Sequence, residues 1–558
     1  MTFEGFIPPR SKNVLEVIGD APEDFETSRD KFLEIQPDCS YAVEKYLSNG
    51  KGKFDTILIH SAIIGNLGAD SLVSLIKNAA KKLQPRGTLV FALDNVGFID
   101  NVMAILEGRP LKFKITLTKV ELEDAIDTAG LNRIRSLNAA RRMEIAQGIA
   151  DNAKIDVATF TYIISATPDE LPPKTMIQSL IGEKLVCAPV RIHIPNTFLL
   201  TEPNLSTVTV NPERSYRFFT EEQFQNRIFI NQRRTFGSFK RGADFFGRMQ
   251  RIGYLYITEM DDHPVLWKKS YEETGWINFI GAHALQTSTE YLADFLRQYN
   301  PNVRVFANQL RRILPLREFN SDADKPVTIF FGALNRDRDF EEILPVINQF
   351  AEEYGDRLAF KIIARTKLFN SIQSENKTLV GNPRYYDGQF VPANKYEETL
   401  RECDIALLPL IDNQFNRGKS DLKFIECAGN GTAVLASPVA YEKTVRDGET
   451  GFIFRDTKEF ADKLRILIDN ADKRREIATA AYEYVKHNRL LSQHYEERLD
   501  WYLELIARLP ELNEETQARI DKAAPEFENE EPKEVENASQ SVEGISAQNA
   551  EIIIPSSW

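Results

Sequence analysis

Short apolar runs that alternate with amphipathic helical patterns constrain this fold most. The strand-like runs include those that begin at Thr56, Thr88, Ile228, Val327, Ile405 and Ala433. Between the first two of these runs, apolar residues follow the spacing of one helix face: Leu72, Leu75, Ile76, Ala79 and Leu83. Such alternation is typical of parallel sheets with helices on both faces. The sequence therefore predicts an α/β protein.

Two breaks divide the chain, whose 558 residues suffice for three or four domains of about 150 residues each. The first break is the proline cluster Pro168, Pro172 and Pro173, and the second is LREFNSDADKP at about 316–326. The predicted folded segments are 1–166, 177–322, 324–485 and a helical segment at 486–510.

The last part of the chain holds most of its negative charge. The formal net charge is −13, and 12 acidic against 3 basic residues lie between Glu511 and Trp558. Because large apolar residues are few there, burial cannot offset the entropy of ordering. We expect 511–558 to be a disordered acidic tail whose removal leaves the fold intact. The nearly neutral remainder predicts no nucleic-acid partner.

Neither a metal site nor a disulfide framework is indicated. The four cysteines contain no CxxC pair, and the six histidines show no spacing typical of metal ligands. No apolar run approaches the ~18 residues of a spanning helix, and the start MTFEGFIPPR lacks a basic signal region. We expect a cytoplasmic protein, or one that is peripheral at the inner membrane face.

The first 166 residues resemble a class I S-adenosylmethionine-dependent methyltransferase in outline. The matching segments are VLEVIGD at 14–20, FDTILIH at 54–60 and LQPRGTLV at 83–90. The family's glycine-rich turn is reduced to Gly19 followed by Asp20, Ala21 and Pro22, and Gln36 stands where an acid usually holds the ribose. We therefore predict a degenerate domain that does not bind S-adenosylmethionine, with Glu16 and Asp55 in structural roles.

Residues 177–510 resemble a GT-B glycosyltransferase of the retaining family 4-like group. The most specific stretch runs from Cys403 to Phe454 and has the order strand, loop, helix, strand, loop and Asp-Gly-x-Thr-Gly. The resemblance implies three Rossmann-like domains in all, of which the last two form a GT-B double lobe that the helices of 486–510 cross. It also implies a nucleotide-diphosphate sugar as donor and retention of configuration.

The loop before the helix of Leu422 is the predicted donor site. A helix N-terminus suits a diphosphate, Lys419 and Lys423 add positive charge, and Ser420 or Asp421 can cap the helix. The resemblance implies that Glu426 binds the ribose. The remaining predicted donor ligands are Gly332, Arg336, Phe390 and Val391, with Arg336 as a second phosphate clamp.

One position departs from the family pattern. Gly418 stands where the first glutamate of the Glu-x7-Glu motif is expected, so the usual ligand of the sugar hydroxyls is missing. We expect Asp421 or Asn416 to replace it.

The second domain offers a polar cluster after a strand. Asp261, Asp262 and His263 follow the apolar run that ends at Met260, and ligands of open α/β sheets bind at such strand ends. Asp261 is a candidate proton acceptor, and a metal at Asp-Asp-His is the alternative.

A region of the second domain interleaves basic and aromatic residues. Its members are Arg227, Arg233, Arg234, Lys240, Arg241, Arg248, Arg251, Phe236, Phe239, Phe245 and Phe246. This pattern indicates either contact with an anionic acceptor or a membrane, or an amphipathic core helix.

The sequence thus predicts a glycosyltransferase that moves a sugar from a nucleotide-diphosphate sugar to a glycan, lipid-linked or protein acceptor. Arg336, Lys419 and helix N–H groups would stabilise the leaving diphosphate. Two alternatives remain open, namely a bifunctional enzyme that also methylates a sugar and a non-catalytic scaffold with degenerate domains.

Overall fold

The structure is a computed structural model, and its strands build three sheets. It describes residues 5–18, 24–44, 52–65, 67–95, 107, 117–141, 159–181, 187–210, 217–319, 325–332, 337–381 and 391–527. Each sheet has six strands within these residues. The chain divides into one compact unit of Met1–Lys174 with Thr197–Ser206 and a second of Thr175–Asn196 with Thr207–Trp558. The predicted α/β class with mostly parallel sheets is confirmed.

The N-terminal unit contains the first sheet, in the order β2-β1-β3-β4-β6-β5. Its strands are β1 Asn13–Val17, β2 Ser40–Glu44, β3 Phe54–Ile59, β4 Leu83–Asp94, β5 Asn132–Arg141 and β6 Thr159–Thr167. Its helices are Asp24–Ile35, Ser61–Ile64, Ala69–Ala80 and Lys119–Thr128. β6 runs antiparallel to both of its neighbours. The helix Ala69–Ala80 buries Leu72, Ile76 and Ala79, on the face that the periodicity predicts.

The middle domain has a sheet in the order β12-β11-β10-β9-β7-β8, and its residues belong to the second unit except for Thr197–Ser206. The strands are β7 Thr175–Ile181, β8 Leu205–Val210, β9 Asn226–Gln232, β10 Leu255–Met260, β11 Ala284–Thr287 and β12 Val303–Val305. The helices are Ile194–Leu199, Phe239–Arg251, Lys268–Glu273, Ile277–Ile280 and Glu290–Leu296, with shorter turns at Pro189–His193 and Pro264–Trp267. β9, β10 and β11 are parallel neighbours, so their carboxyl ends meet at one edge.

The C-terminal domain of the same unit contains an all-parallel sheet in the order β15-β14-β13-β16-β17-β18. The strands are β13 Val327–Phe331, β14 Leu358–Ile363, β15 Lys377–Val380, β16 Ile405–Leu408, β17 Ala433–Ala436 and β18 Phe452–Ile453. The helices are Leu344–Tyr354, Thr366–Ser371, Ala393–Arg401, Gln414–Arg417, Leu422–Gly429, Thr457–Asp469 and Ala471–Asn488. This doubly wound order reverses between β13 and β16, where such sheets bind ligands.

Two helices at the end of the described chain, Tyr495–Ala507 and Leu509–Ala523, pack against the middle domain. The Tyr502 hydroxyl donates to Gln286 Oε1 at 2.7 Å, and a 3₁₀ turn follows at Ala524–Phe527. No helix in the described part of the chain is long and apolar enough to cross a membrane.

The predicted disorder from residue 511 onward is therefore wrong as far as Phe527. Leu512, Thr516 and Ile520 recur every four residues and are buried, although charged residues surround them in the sequence. A stripe of this spacing buries enough surface to order the helix despite its high charge. Residues 528–558 lie outside the described residues.

Replacing Leu512 with alanine should destabilise the second unit. Leu512 is fully buried, and Leu→Ala changes in cores cost about 2–5 kcal/mol. The measurement is urea unfolding followed by tryptophan fluorescence. Gln517→Ala, on the exposed face of the same helix, serves as the control and should leave the midpoint unchanged. An unchanged midpoint for Leu512→Ala would mean that the helix does not contribute to the fold.

Stability should fall between pH 6.5 and pH 4 because of His283. Its Nδ1 accepts the backbone N–H of Tyr256 at 2.8 Å, and its Nε2 lies 2.9 Å from Asn513 Oδ1. Burial lowers the pKa of His283 from 6.5 to about 4. The unfolded chain takes up a proton in this window while the folded chain does not, so acidification costs roughly 3 kcal/mol of stability.

The measurement is the free energy of unfolding of wild type and His283→Asn at several pH values. The variant should lose the His283 share of the pH dependence, roughly 3 kcal/mol, and keep the share of His193 and His263, whose pKa values burial also lowers. His487→Asn, which changes a half-exposed histidine, should retain the His283 share. Equal slopes for wild type and His283→Asn would contradict this assignment.

Candidate functional site

The candidate site begins with an arginine and two aspartates of the middle domain. Asp261 and Asp262 follow β10, and Arg233 follows the neighbouring strand β9. Arg233 Nε donates to Asp261 Oδ1 at 2.5 Å, and its other end pairs with Asp262. All three side chains are at most 15% exposed. The parallel register of β9 and β10 brings them together, so one guanidinium orients both carboxylates.

Lys419 of the C-terminal domain reaches this cluster. Its ammonium pairs with Asp262 and lies 4.3 Å from the centre of the Phe415 ring. Burial raises the pKa of Asp262, but the positive charges of Lys419 and Arg233 outweigh it and hold the pKa below its usual value. Asp262 is therefore a carboxylate that links the two domains. Two cations balance two anions in the cluster.

A second, buried network lies beside the cluster. Arg191 Nε donates to Glu259 Oε1 at 2.7 Å, and both side chains are at most 1% exposed. The guanidinium also donates to Asn308 Oδ1 at 2.8 Å and to the carbonyl of Thr287 at 2.9 Å. Arg191 is a buried network residue that the sequence did not predict. The available signal was one arginine in the largely apolar run CAPVRIHIP, because an arginine buried among apolar residues requires a partner.

The network continues through Asn308 into the C-terminal domain. Asn308 Nδ2 donates to Ser420 Oγ at 2.8 Å, and the backbone carbonyl of Asn308 accepts from Arg489 at 2.8 Å. Arg489 in turn holds both oxygens of Asp421 at 2.5 and 2.8 Å. Thr444 Oγ1 donates to Asp421 as well, at 2.8 Å. The loop that carries Lys419 is therefore fixed by polar contacts on both sides.

These contacts change the roles expected for Ser420 and Asp421. Asp421 occupies the N-cap position of the helix Leu422–Gly429, but its side chain makes no capping hydrogen bond. Both of its oxygens are used by Arg489 and Thr444, so it does not replace the missing sugar ligand. Ser420 serves Asn308 instead of capping the helix. Both residues support the loop and leave the helix N–H groups open to another ligand.

Glu426 lies on the helix Leu422–Gly429 in a small polar cluster. Its Oε2 accepts from Lys423 Nζ at 2.7 Å and from the Tyr396 hydroxyl at 3.0 Å. The Lys423 ammonium also lies 4.7 Å from the centre of the Tyr396 ring. Burial and the neighbouring Glu426 carboxylate raise the pKa of Tyr396 well above its ordinary value. The Tyr396 hydroxyl therefore keeps its proton and donates a hydrogen bond to Glu426.

Gly332 directly follows β13, beside this cluster. A Cβ at this position would lie 2.0 Å from the ring of Phe330, so only glycine fits without a rearrangement. The Phe330 ring packs edge-on against Tyr396 at 6.0 Å. Val391 is half-buried against the same core. Two other predicted donor ligands, Arg336 and Phe390, lie outside the described residues.

Crowding accounts for the missing glutamate at Gly418. A Cβ there would lie 3.1 Å from both His263 and Leu292 of the middle domain. A glutamate side chain would need both neighbours to move. Asn416, the other expected substitute, donates its amide to Asp339 Oδ1 at 3.1 Å and to the Ile411 carbonyl at 2.9 Å. It is buried and supports the loop.

The Asp-Asp-His sequence does not converge on a common point. His263 Nδ1 accepts the N–H of Val265 at 3.1 Å, whereas Asp261 and Asp262 face Arg233. Across the described ranges, no group of three His, Cys, Asp or Glu side chains is arranged to hold a metal ion.

Several solved structures are similar to parts of this chain. TarM is 16% identical, over 50% of this chain and 54% of its own, with a TM-score of 0.36. A glycosyltransferase from Rickettsia africae ESF-5 is 12% identical over 60% and 99%, with a TM-score of 0.41. Anabaena Alr3699/HepE, in complex with UDP and glucose, is 12% identical over 59% and 99%, with a TM-score of 0.41. This chain thus spans about half of the TarM chain.

Residues 359–504 match the family described as "Glycosyl transferase-like". The match covers about a quarter of the chain and includes Lys419, the helix Leu422–Gly429 and Arg489. No curated protein matches the chain. Residues 359–504, which contribute Lys419, Asp421 and Glu426 to the candidate site, are thus similar to that family.

Replacing Asp421 with asparagine should destabilise the second unit. The change leaves the Arg489 guanidinium buried without its counter-charge, and breaking such a pair costs about 3–5 kcal/mol. Asp412→Asn removes the partner of Arg417 at an exposed site, where a pair contributes at most about 1 kcal/mol. Urea unfolding of both variants measures the difference. Equal losses would show that the Asp421 pair does not stabilise this loop.

Proposed function

We propose that the chain is a glycosyltransferase that moves a sugar from a nucleotide-diphosphate sugar to a glycan, lipid-linked or protein acceptor. The observation that carries the proposal is Lys419, which extends from a helix-leading loop to Asp262 of the middle domain. The family match over the same loop supports it. The acceptor class and retention of configuration belong to the same proposal and follow from the GT-B resemblance. A cytoplasmic or peripheral membrane position is proposed with them.

The donor diphosphate is proposed to bind between β13 and β16. The strand order reverses there, and the loop after β16 leads to Lys419 and to the N-terminus of the eight-residue helix Leu422–Gly429. Free N–H groups and the positive end of the helix dipole attract a diphosphate at such a position. Lys419 would then exchange the Asp262 carboxylate for a phosphate oxygen.

The ribose is proposed to bind to Oε1 of Glu426. Lys423 and Tyr396 both donate to Oε2, and no described residue donates to Oε1. Because two donors fix the rotamer, Oε1 is preorganised to accept ribose hydroxyls. The Phe330 ring, packed between Gly332 and Tyr396, supports this arrangement from the end of β13.

The chemical step rests on charge. As the glycosidic bond breaks, negative charge grows on the leaving diphosphate, and Lys419 and the helix N–H groups stabilise that charge more strongly than in the ground state. Arg336 is proposed as a second clamp. Under inversion, Asp261 would accept the proton of the acceptor hydroxyl, because Arg233 holds its carboxylate at 2.5 Å at the domain boundary.

The N-terminal unit is proposed to be a degenerate methyltransferase-like domain that does not use S-adenosylmethionine. At the carboxyl ends of its strands, polar side chains bind each other. Glu16 Oε1 lies 2.8 Å from His60 Nε2, and Ser61 Oγ donates to Asp94 at 2.8 Å. Asp55 accepts two backbone N–H groups near β1. Calorimetry should show no micromolar binding of S-adenosylmethionine, and a micromolar dissociation constant would support the bifunctional alternative.

The proposed function is tested by incubating the full chain with a panel of nucleotide-diphosphate sugars and candidate acceptors. A thermal-shift screen against nucleotide diphosphates first selects the donor base. Mass spectrometry should then detect a product that is heavier by one sugar residue. Absence of both binding and transfer across the panel would instead support the non-catalytic scaffold.

Lys419→Ala and Glu426→Ala should impair transfer in different ways. Lys419 meets charge that develops in the transition state, so its loss should lower kcat by about a hundredfold. Glu426 holds a part of the donor remote from the broken bond, so its loss should mainly raise the KM for the donor, by roughly tenfold to a hundredfold. Lys395→Ala and Glu398→Ala, an exposed pair of the same domain, are the controls. If both site variants transfer sugar at the wild-type rate, the donor binds at another site.

Tyr396→Phe should raise the donor KM and leave kcat unchanged. The variant keeps the ring against Phe330 but removes the hydroxyl that fixes Glu426. Losing one hydrogen bond to a charged group costs about 1.5–3 kcal/mol. Steady-state kinetics at saturating acceptor measure the effect. A fall in kcat with an unchanged KM would contradict a positioning role in donor binding.

A further inference from the structure

The helix Phe239–Arg251 presents a basic surface that the candidate site does not use. Its phenylalanines Phe239 and Phe246 are buried in the domain core, which settles the amphipathic-helix interpretation of this region. The exposed cations on the opposite side are Lys240, Arg241, Arg248 and Arg251. We call these four residues the basic face.

The basic face is compact and carries an excess of positive charge. At 100° per residue its four members fall within one sector of roughly 100°. None of them forms an ion pair with another residue in the described part of the chain. One acid, Asp244, lies in the same sector. Repulsion among the four cations therefore favours an anionic partner.

The end of the described chain is anchored at the start of this helix. The Phe527 ring stacks on the Phe239 ring, with centroids 4.7 Å apart and planes 7° apart. Gly275 leaves room for the Phe527 ring, because a Cβ at this position would lie 2.5 Å from it. Phe527, the last described residue, therefore lies beside Phe239, which directly precedes Lys240 at one end of the basic face.

The residues that follow Phe527 are strongly acidic. Glu528, Glu530, Glu531, Glu534 and Glu536 lie within nine residues, with Lys533 as the one opposite charge. Nine extended residues span roughly 30 Å, whereas the 13-residue helix is roughly 20 Å long. The acidic segment is thus long enough to run along the whole basic face.

We propose that residues 528–536 of the same chain bind the basic face. Each exposed ion pair is weak, but the anchor at Phe527 raises the local concentration of the segment to the millimolar range. Charge complementarity and the point of attachment both select this segment over a separate anionic partner. The contact weakens with salt, because both sides are exposed.

Zero-length carbodiimide crosslinking of the full chain tests this inference. The reagent joins the Lys240 amine to a carboxylate in direct contact, with loss of water. At about micromolar protein concentration, at which the tethered segment outcompetes other chains, the monomer band is digested and its linked peptides are quantified by mass spectrometry. We expect links between Lys240 and the glutamates of 528–536. The control amine is Lys269, which is 90% exposed.

The decisive comparison uses the variant R241Q/R248Q/R251Q, which keeps Lys240 but removes its neighbouring charges. Its yield of Lys240 links should fall at least about fivefold, as should the wild-type yield in 1 M salt. Replacing the five glutamates by glutamine should abolish the links. Equal yields at Lys240 and Lys269, an unchanged yield in the variant, or links confined to a dimer band would each overturn the proposal.

Discussion

The candidate site depends on one buried ion pair, Arg489 with Asp421. Arg489 follows the long helix Ala471–Asn488, and Asp421 starts the helix Leu422–Gly429, so the pair fixes the loop between them and the sheet. The same guanidinium donates to the carbonyl of Asn308, whose side chain binds Ser420 and Arg191. Because Arg489, Asp421 and Asn308 are buried and hydrogen-bonded, the loop cannot move without leaving a charge unpaired.

This rigidity positions Lys419 and gives it a role that a surface lysine could not have. Its ammonium lies where the two domains of the second unit meet, and it pairs with an aspartate that Arg233 also holds. A donor diphosphate would displace the carboxylate of Asp262 from Lys419 by supplying at least its single negative charge. The loop therefore favours an anionic ligand over a neutral one, in keeping with the proposed nucleotide-diphosphate sugar.

Hydrophobic periodicity predicted the elements well, but it could not predict the polar networks. The faces of Ala69–Ala80 and of Phe239–Arg251 follow from local spacing. The partners of Arg191 lie 68 and 117 residues away, so no local pattern reveals them. The acidic composition after residue 511 led to a wrong prediction of disorder, because Leu512 and Ile520, which are buried, are few among the charged residues there. Likewise, Asp421 has the sequence of a helix cap but pairs with a distant arginine.

Hydrogen exchange in the presence of nucleotide diphosphates tests most directly whether the loop before Leu422–Gly429 is a donor site. The matching nucleotide should slow exchange in the peptide covering 417–430, where the diphosphate meets Lys419 and the helix N–H groups, and should also change exchange in the peptide covering 258–263, where Asp262 loses Lys419 as a partner. Ligand-induced protection of this kind follows from binding to the folded state alone. Protection confined to the N-terminal unit, or none at a nucleotide concentration that raises the melting temperature, would contradict it.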